Sequence, residues 1–88
     1  MNITNVRVYL RKGNEQLKAF ASVTLDDAFA VNDLKVIEGS QGLFVSMPAK
    51  KIPGGGYRDL AHPVTKEARE MFQSTVLGAY RKAMETAN

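Results

Sequence analysis

The 88 residues suffice for one domain, and 44% hydrophobic with 24% charged residues is globular usage that argues against disorder. The chain has no cysteine, which excludes disulfides and cysteine-based zinc sites, and no apolar run approaches the ~20 residues that cross a bilayer. The net charge of +3 comes wholly from residues 45–88, an excess that suits either a polyanionic partner or a merely solvated surface.

Three strands are predicted at the start of the chain. Val6–Arg11 is rich in β-branched and aromatic residues, and Leu17–Leu25 alternates, with Leu17, Ala19, Ala21, Val23 and Leu25 on one face. Phe29–Ile37 resumes the alternation. The polar turns Lys12–Glu15 and Asp26–Asp27 join these strands into an antiparallel meander.

A fourth strand, Leu43–Met47, is apolar on both faces and therefore requires cover on both, from the C-terminal helix or from another subunit. Pro48 ends this strand, because proline cannot donate to the ladder. Ala49–Gly56 is predicted to be a flexible, basic, glycine-rich loop, and Tyr57–Ala61 a short edge strand that returns from it.

A long C-terminal helix is predicted over about residues 65–85, with Thr65 as its N-cap. Its apolar stripe at helical spacing consists of Ala68, Met71, Phe72, Thr75, Ala79, Tyr80 and Ala83, widened by Val76 and Leu77. The predicted fold is a single α+β domain over residues 1–88. It combines an antiparallel sheet of four or five strands, within about residues 3–61, with this helix.

The sequence offers little for catalysis. His62, the single histidine, could act as a general acid or base with Asp59, but the weightier interpretation is that it bonds loop backbone before the helix. Gly54–Gly56 lacks the Lys-Ser/Thr that a phosphate-binding P-loop requires. We therefore expect no enzyme activity, metal, cofactor or small-molecule substrate.

Five cations are the candidate phosphate contacts. They lie in the glycine-rich loop, in the strand after it and in the first turns of the helix: Lys50, Lys51, Arg58, Lys66 and Arg69. Tyr57 is the only aromatic residue in this basic stretch, so base stacking on a sheet of the RNA-recognition type is not indicated.

Two blocks carry a family resemblance: Gly42–Pro48, with the pattern Gly-Leu-Phe-Val-x-Met-Pro, and Tyr57–Pro63, Tyr-Arg-Asp-Leu-Ala-His-Pro. With Val31–Gly39 before them, they resemble the bacterial SpoVG family over at least residues 1–80. The resemblance implies a cytoplasmic, homodimeric regulator that binds nucleic acid, DNA chiefly and RNA second, and that acts in septation, sporulation or gene expression. It implies no enzyme activity, and Lys50, Lys51 and Arg58 match basic positions of the family.

The residues leave one alternative of a different class open. An adaptor of the division or transcription machinery would contact a protein through an apolar surface, and its basic face would serve solubility. The homodimer interface is expected at Leu43–Met47 or along the helix stripe. The opening residues 1–5 lack the basic-then-apolar pattern of a secretory signal, and the absence of cysteine fits a reducing cytoplasm.

Overall fold

The computed structural model describes residues 1–12 and 16–86, so most of the predicted turn Lys12–Glu15 lies outside the described residues. In the described residues, six strands precede one helix in chain order. They are β1 (Ile3–Leu10), β2 (Leu17–Leu25), β3 (Phe29–Gly39), β4 (Gly42–Ser46), β5 (Ala49–Lys51), β6 (Tyr57–Asp59) and α1 (Lys66–Thr86). The predicted α+β class is confirmed.

The first four strands form one antiparallel sheet in the order β1-β2-β3-β4, as the alternation predicts. Asp26 and Asp27 join β2 to β3 with φ values of 51° and 53°, and the Ala28 N–H donates to the Leu25 carbonyl at 2.9 Å. Two consecutive residues with positive φ give the type I′ geometry, whose twist matches that of the flanking strands.

Two bulges in the pairing of β2 with β3 change which face some side chains occupy. In β3, Val31 pairs with Val23 and Leu34 with Ala21, so two residues lie opposite Ser22, and one of them, Asp33, has a φ of 65°. The extra residue lets Val31 and Leu34 both contact the core, although simple alternation would place them on opposite faces.

The second bulge corrects the predicted placement of Leu17. Leu17 pairs with Ile37, whereas Ala19 pairs with Val36, the neighbouring residue on the other face of β3. Leu17 therefore does not share the face of Ala19, because directly paired residues lie on the same side of a sheet.

The helix packs across one face of the four-stranded sheet. Thr65 caps it as predicted, since its hydroxyl accepts the Ala68 N–H at 3.0 Å. The predicted stripe faces the sheet. The core contains Ala19, Ala21, Val23, Leu34, Val36, Val45, Met47, Phe72, Val76 and Tyr80. In the described part of the chain, no helix is long and apolar enough to span a membrane.

None of the described helices and strands packs on the other face of this sheet, and we call it the open face. By strand register it carries Arg7, Tyr9, Leu17, Phe20, Ser22, Lys35, Ile37, Phe44 and Ser46. The expectation that β4 is covered on both sides therefore fails within one chain: Val45 is buried, but Phe44 is 44% exposed.

Candidate nucleic-acid interface

The segment predicted as a loop after Pro48 is instead half of a second, two-stranded sheet. β5 pairs with β6 in antiparallel register, Ala49 with Asp59, Lys50 with Arg58 and Lys51 with Tyr57. All six strand residues are exposed. The loop prediction missed β5 because it is three residues long and carries two lysines and no β-branched residue, so it has no strand signal of its own.

Lys50 and Arg58 lie directly opposite each other in this hairpin. Directly paired side chains have Cβ atoms about 5 Å apart, and like charges at that separation destabilise the pair. Within the described residues neither side chain forms an ion pair. The register therefore concentrates two uncompensated positive charges on one face of the hairpin.

Lys51 lies on the opposite face of the hairpin from Lys50, because successive strand residues alternate. Its direct partner is Tyr57, and the register puts Asp59 on this same face. The face is therefore less positive than that of Lys50 and Arg58. The structure does not bring all three hairpin cations to one surface.

Backbone hydrogen bonds fix the hairpin at both ends. The Leu60 N–H donates to the Pro48 carbonyl at 2.7 Å, and at the tip the Ile52 N–H donates to the Gly56 carbonyl at 3.1 Å. Gly54, Gly55 and Gly56 all have positive φ, a conformation that side chains rarely adopt. Such support matters because an isolated two-stranded hairpin is at best marginally stable in water.

Lys66 and Arg69 lie one turn apart at the start of α1, where both are exposed. The Lys66 Nζ lies 4.0 Å from a carboxylate oxygen of Glu70, an i,i+4 ion pair whose side chains are 84% and 67% exposed. A pair so exposed to solvent contributes little stability and leaves the lysine available to a stronger anion. These two cations belong to the helix, whereas Lys50 and Arg58 belong to the hairpin.

His62 bonds backbone next to the helix, as its weightier interpretation predicts. Its Nδ1 lies 3.1 Å from the carbonyl oxygen of the adjacent Pro63. The ring also lines an apolar pocket of about 180 Å³, together with Met1, Leu25, Phe29, Val31, Met47, Ala61, Pro63 and Phe72. No carboxylate of the described residues lines this pocket, and Asp59 lies outside it.

Comparison with known proteins places this fold in a family. The SpoVG family model matches residues 1–82. The chain belongs to the SpoVG family. A SpoVG relative from Heliobacterium modesticaldum is 49% identical over 87 residues, covering 99% of this chain and 98% of its own length. Relatives from Thermoanaerobacter sp. (51% identical, covering 97% of this chain and 92% of their own) and Acholeplasma laidlawii (44%, covering 97% and 90%) also match. Each name assigns its protein provisionally to septation.

The two SpoVG-like blocks of the sequence occupy connected parts of the structure. Gly42–Pro48 forms β4 and the turn into the hairpin, and Tyr57–Pro63 forms β6 and the approach to the helix. The bond from the Leu60 N–H to Pro48 joins one block to the other. The first block therefore leads into the hairpin, and the second supplies its return strand with Arg58.

Some basic and aromatic residues escaped the sequence prediction. Arg7, Tyr9, Phe20, Lys35 and Phe44 share the open face, but they come from all four strands of the sheet. Residues 1–44 are neutral overall, so their composition did not single out this face. The available signal was the alternation itself, which already placed Phe20 on the face opposite Ala19 and Ala21.

Proposed function

We propose that this protein is a bacterial regulator that binds nucleic acid, DNA chiefly and RNA second, and that acts in septation, sporulation or gene expression. The observation that carries the proposal is the direct pairing of Lys50 with Arg58 on an exposed hairpin. These two cations repel each other in the free protein, and a phosphate placed between them would relieve this repulsion while it binds to both.

Lys66 and Arg69 support the same proposal from the helix. They lie in its first turns, where free backbone N–H groups and the helix dipole favour an anion. Lys51 would add a further contact from the other side of the hairpin. These contacts go to the phosphate backbone, so they supply affinity and salt dependence but little sequence preference.

The proposed homodimer needs an interface other than the helix stripe. Phe72, Val76 and Tyr80 are buried within one chain, so the predicted stripe is not available to a partner. Around the apolar pocket, however, Met1 and Phe29 are exposed at its lining, and Leu60 and Val64 flank it in sequence with 66% and 86% exposure. We place the second copy there. Phe29→Ser should shift sedimentation equilibrium toward monomer, and an unchanged mass would contradict this placement.

The test of nucleic-acid binding is fluorescence anisotropy with a DNA duplex of about 20 base pairs, over about 50–200 mM salt. The Lys50→Gln, Arg58→Gln double variant should bind more weakly. The slope of log affinity against log salt should become shallower by about 1.8 for each chain in contact, which is 0.9 per lost phosphate contact. A matched RNA duplex measured in parallel ranks the two nucleic acids.

The matched control is Arg81→Gln with Lys82→Gln, which removes the same charge from exposed positions late in the helix. If the control pair changes the slope as much as the hairpin pair, binding follows net charge and not this site. If the wild-type protein binds neither duplex, the proposal fails. A lysate partner that survives nuclease treatment would then favour the adaptor.

A further inference from the structure

The open face of the four-stranded sheet combines exposed aromatic rings with unpaired cations. Tyr9 in β1 is 55% exposed and Phe44 in β4 is 44% exposed, so an exposed ring lies in each edge strand of the sheet. The core lies on the other side of the strands, so neither ring is needed to complete it. Rings held on a rigid sheet but left in water form a preorganised apolar surface.

Register places these groups next to one another. Tyr9 pairs with Phe20, Phe20 with Lys35, and Lys35 with Ser46, so one row crosses all four strands. Neighbouring strands are about 4.8 Å apart, which makes the row about 14 Å wide. In the adjacent row Phe44 pairs with Ile37, and a Cβ on Gly39 would lie 3.0 Å from the Phe44 ring. Gly39 thus leaves room for that ring.

Cations surround the rings. The Arg11 guanidinium lies over the Phe20 ring, 5.4 Å from its centroid, and Arg7 and Lys35 stand on the same face. Among residues 1–12 and 16–86, no carboxylate forms an ion pair with these three side chains. Asp33, in the bulge opposite Ser22, is an acidic residue that register places at this face, and it forms no ion pair with these cations.

We propose that this open face is a second binding site, separate from the hairpin, whose ligand is single-stranded nucleic acid. Bases stack on Tyr9 and Phe44 and on the guanidinium plane of Arg11, while Arg7 and Lys35 contact phosphates. Stacking needs unpaired bases, so a duplex cannot use this face. A sheet of this width holds about two or three bases.

Charge decides against a second copy of the chain as the occupant. Packing two open faces together would bring Arg7, Arg11 and Lys35 toward the same cations of the partner. Like charges in a desolvated interface are costly, and the single negative charge of Asp33 does not offset three cations. Single-stranded nucleic acid supplies bases that stack on the rings and negative charge that the cations bind.

The experiment measures anisotropy with oligothymidine and oligouridine of about 12 nucleotides, and with an abasic strand of the same length. Tyr9→Leu and Phe44→Leu keep apolar bulk and remove the ring. Each should weaken binding to the base-carrying strands by about five-fold to a hundred-fold, the range found for lost base stacking. Binding to the abasic strand should be unchanged. Tighter binding of one oligonucleotide identifies the preferred sugar.

Met84→Ala is the control, because Met84 is a large hydrophobic residue with a comparable 46% exposure near the end of α1, on neither the open face nor the pocket where we place the second copy. Melting temperatures of all variants exclude a folding defect. Lys50→Gln with Arg58→Gln should weaken the duplex more than the single strands. This comparison distinguishes a failure of the proposed open-face site from a failure of the proposed hairpin site.

Three results would overturn the proposal: no binding of either single strand by the wild-type protein, equal affinity for base-carrying and abasic strands, or ring variants that bind as the control does. A fourth is a change of oligomeric state in Tyr9→Leu or Phe44→Leu, measured by sedimentation equilibrium. That result would show that a second copy covers the face.

Discussion

Gln73 joins the helix to the outer edge of the sheet through two hydrogen bonds. Its side-chain amide oxygen accepts the Val45 N–H and its amide nitrogen donates to the Val45 carbonyl, each at 2.9 Å in a half-buried setting. β4 is an edge strand, so the outward N–H and C=O of Val45 would otherwise lack a strand partner. The perturbation that isolates this contact is Gln73→Leu, which keeps the size and removes both bonds.

The expected loss follows from the number of bonds. At about 1 kcal/mol net for each, two bonds contribute about 2 kcal/mol to the free energy of unfolding. In a domain of this size that corresponds to a fall in melting temperature of about 8–16 °C. The assay is thermal unfolding followed by circular dichroism, with amide hydrogen exchange of Val45 as a local readout. Gln41→Leu, at an exposed glutamine in the β3–β4 turn, is the matched control.

A second variant at this position predicts a pH dependence. In Gln73→Glu an ionised carboxylate accepts from the Val45 N–H but faces the carbonyl oxygen without a proton to donate. This raises the pKa of the introduced carboxyl above its ordinary value of about 4.3. Stability relative to wild type is therefore greatest at low pH and falls as the pH rises through the folded-state pKa. The reasoning is refuted if Gln73→Leu melts with the control and Val45 exchange is unchanged.

Three further predictions concern stability measured by urea unfolding. Gly78→Ala should raise the free energy of unfolding by about 0.5–1 kcal/mol, because alanine has the higher helix propensity and a Cβ at this position meets nothing within 4 Å. A lower free energy of unfolding would contradict the finding that this position is open. Asp27→Gly should raise the free energy of unfolding by about 0.5 kcal/mol. Asp27 has a positive φ, and removing its Cβ relieves more strain than the greater chain entropy of glycine in the unfolded state costs. Asp27→Ala, the control, keeps the Cβ and should not stabilise the protein. Thr65→Ala should lower the free energy of unfolding by about 1 kcal/mol, and Thr65→Ser, which keeps the hydroxyl, by much less. Equal losses in the two variants would show that the hydroxyl does not cap the helix.

Where side-chain periodicity and turn residues coincide, the sequence predicted the fold well. The four-stranded meander, the helix and its Thr65 cap are all confirmed, because each depends on residues close together in the chain. The bulge at Asp33 was not predictable in this way. An inserted residue alters facing only relative to the partner strand, and that register is a long-range property.

The candidate sites, like the fold, could be predicted only in part from the sequence. Composition located the positive excess in residues 45–88, and the family blocks identified the relationship. Neither the composition nor these blocks revealed that Lys50 lies opposite Arg58 while Lys51 lies on the other face of the hairpin. That arrangement depends on β5, which forms only through its pairing with β6.

By itself, then, the sequence determined the local elements, their order and the apolar residues available to a core. Tertiary structure alone decided which charges and rings meet. Tyr9, Phe20 and Lys35 are separated in the chain and become neighbours only when three strands align. The physical reason is that strand pairing is specified by a hydrophobic pattern on the core face, and the opposite face is assembled as its consequence.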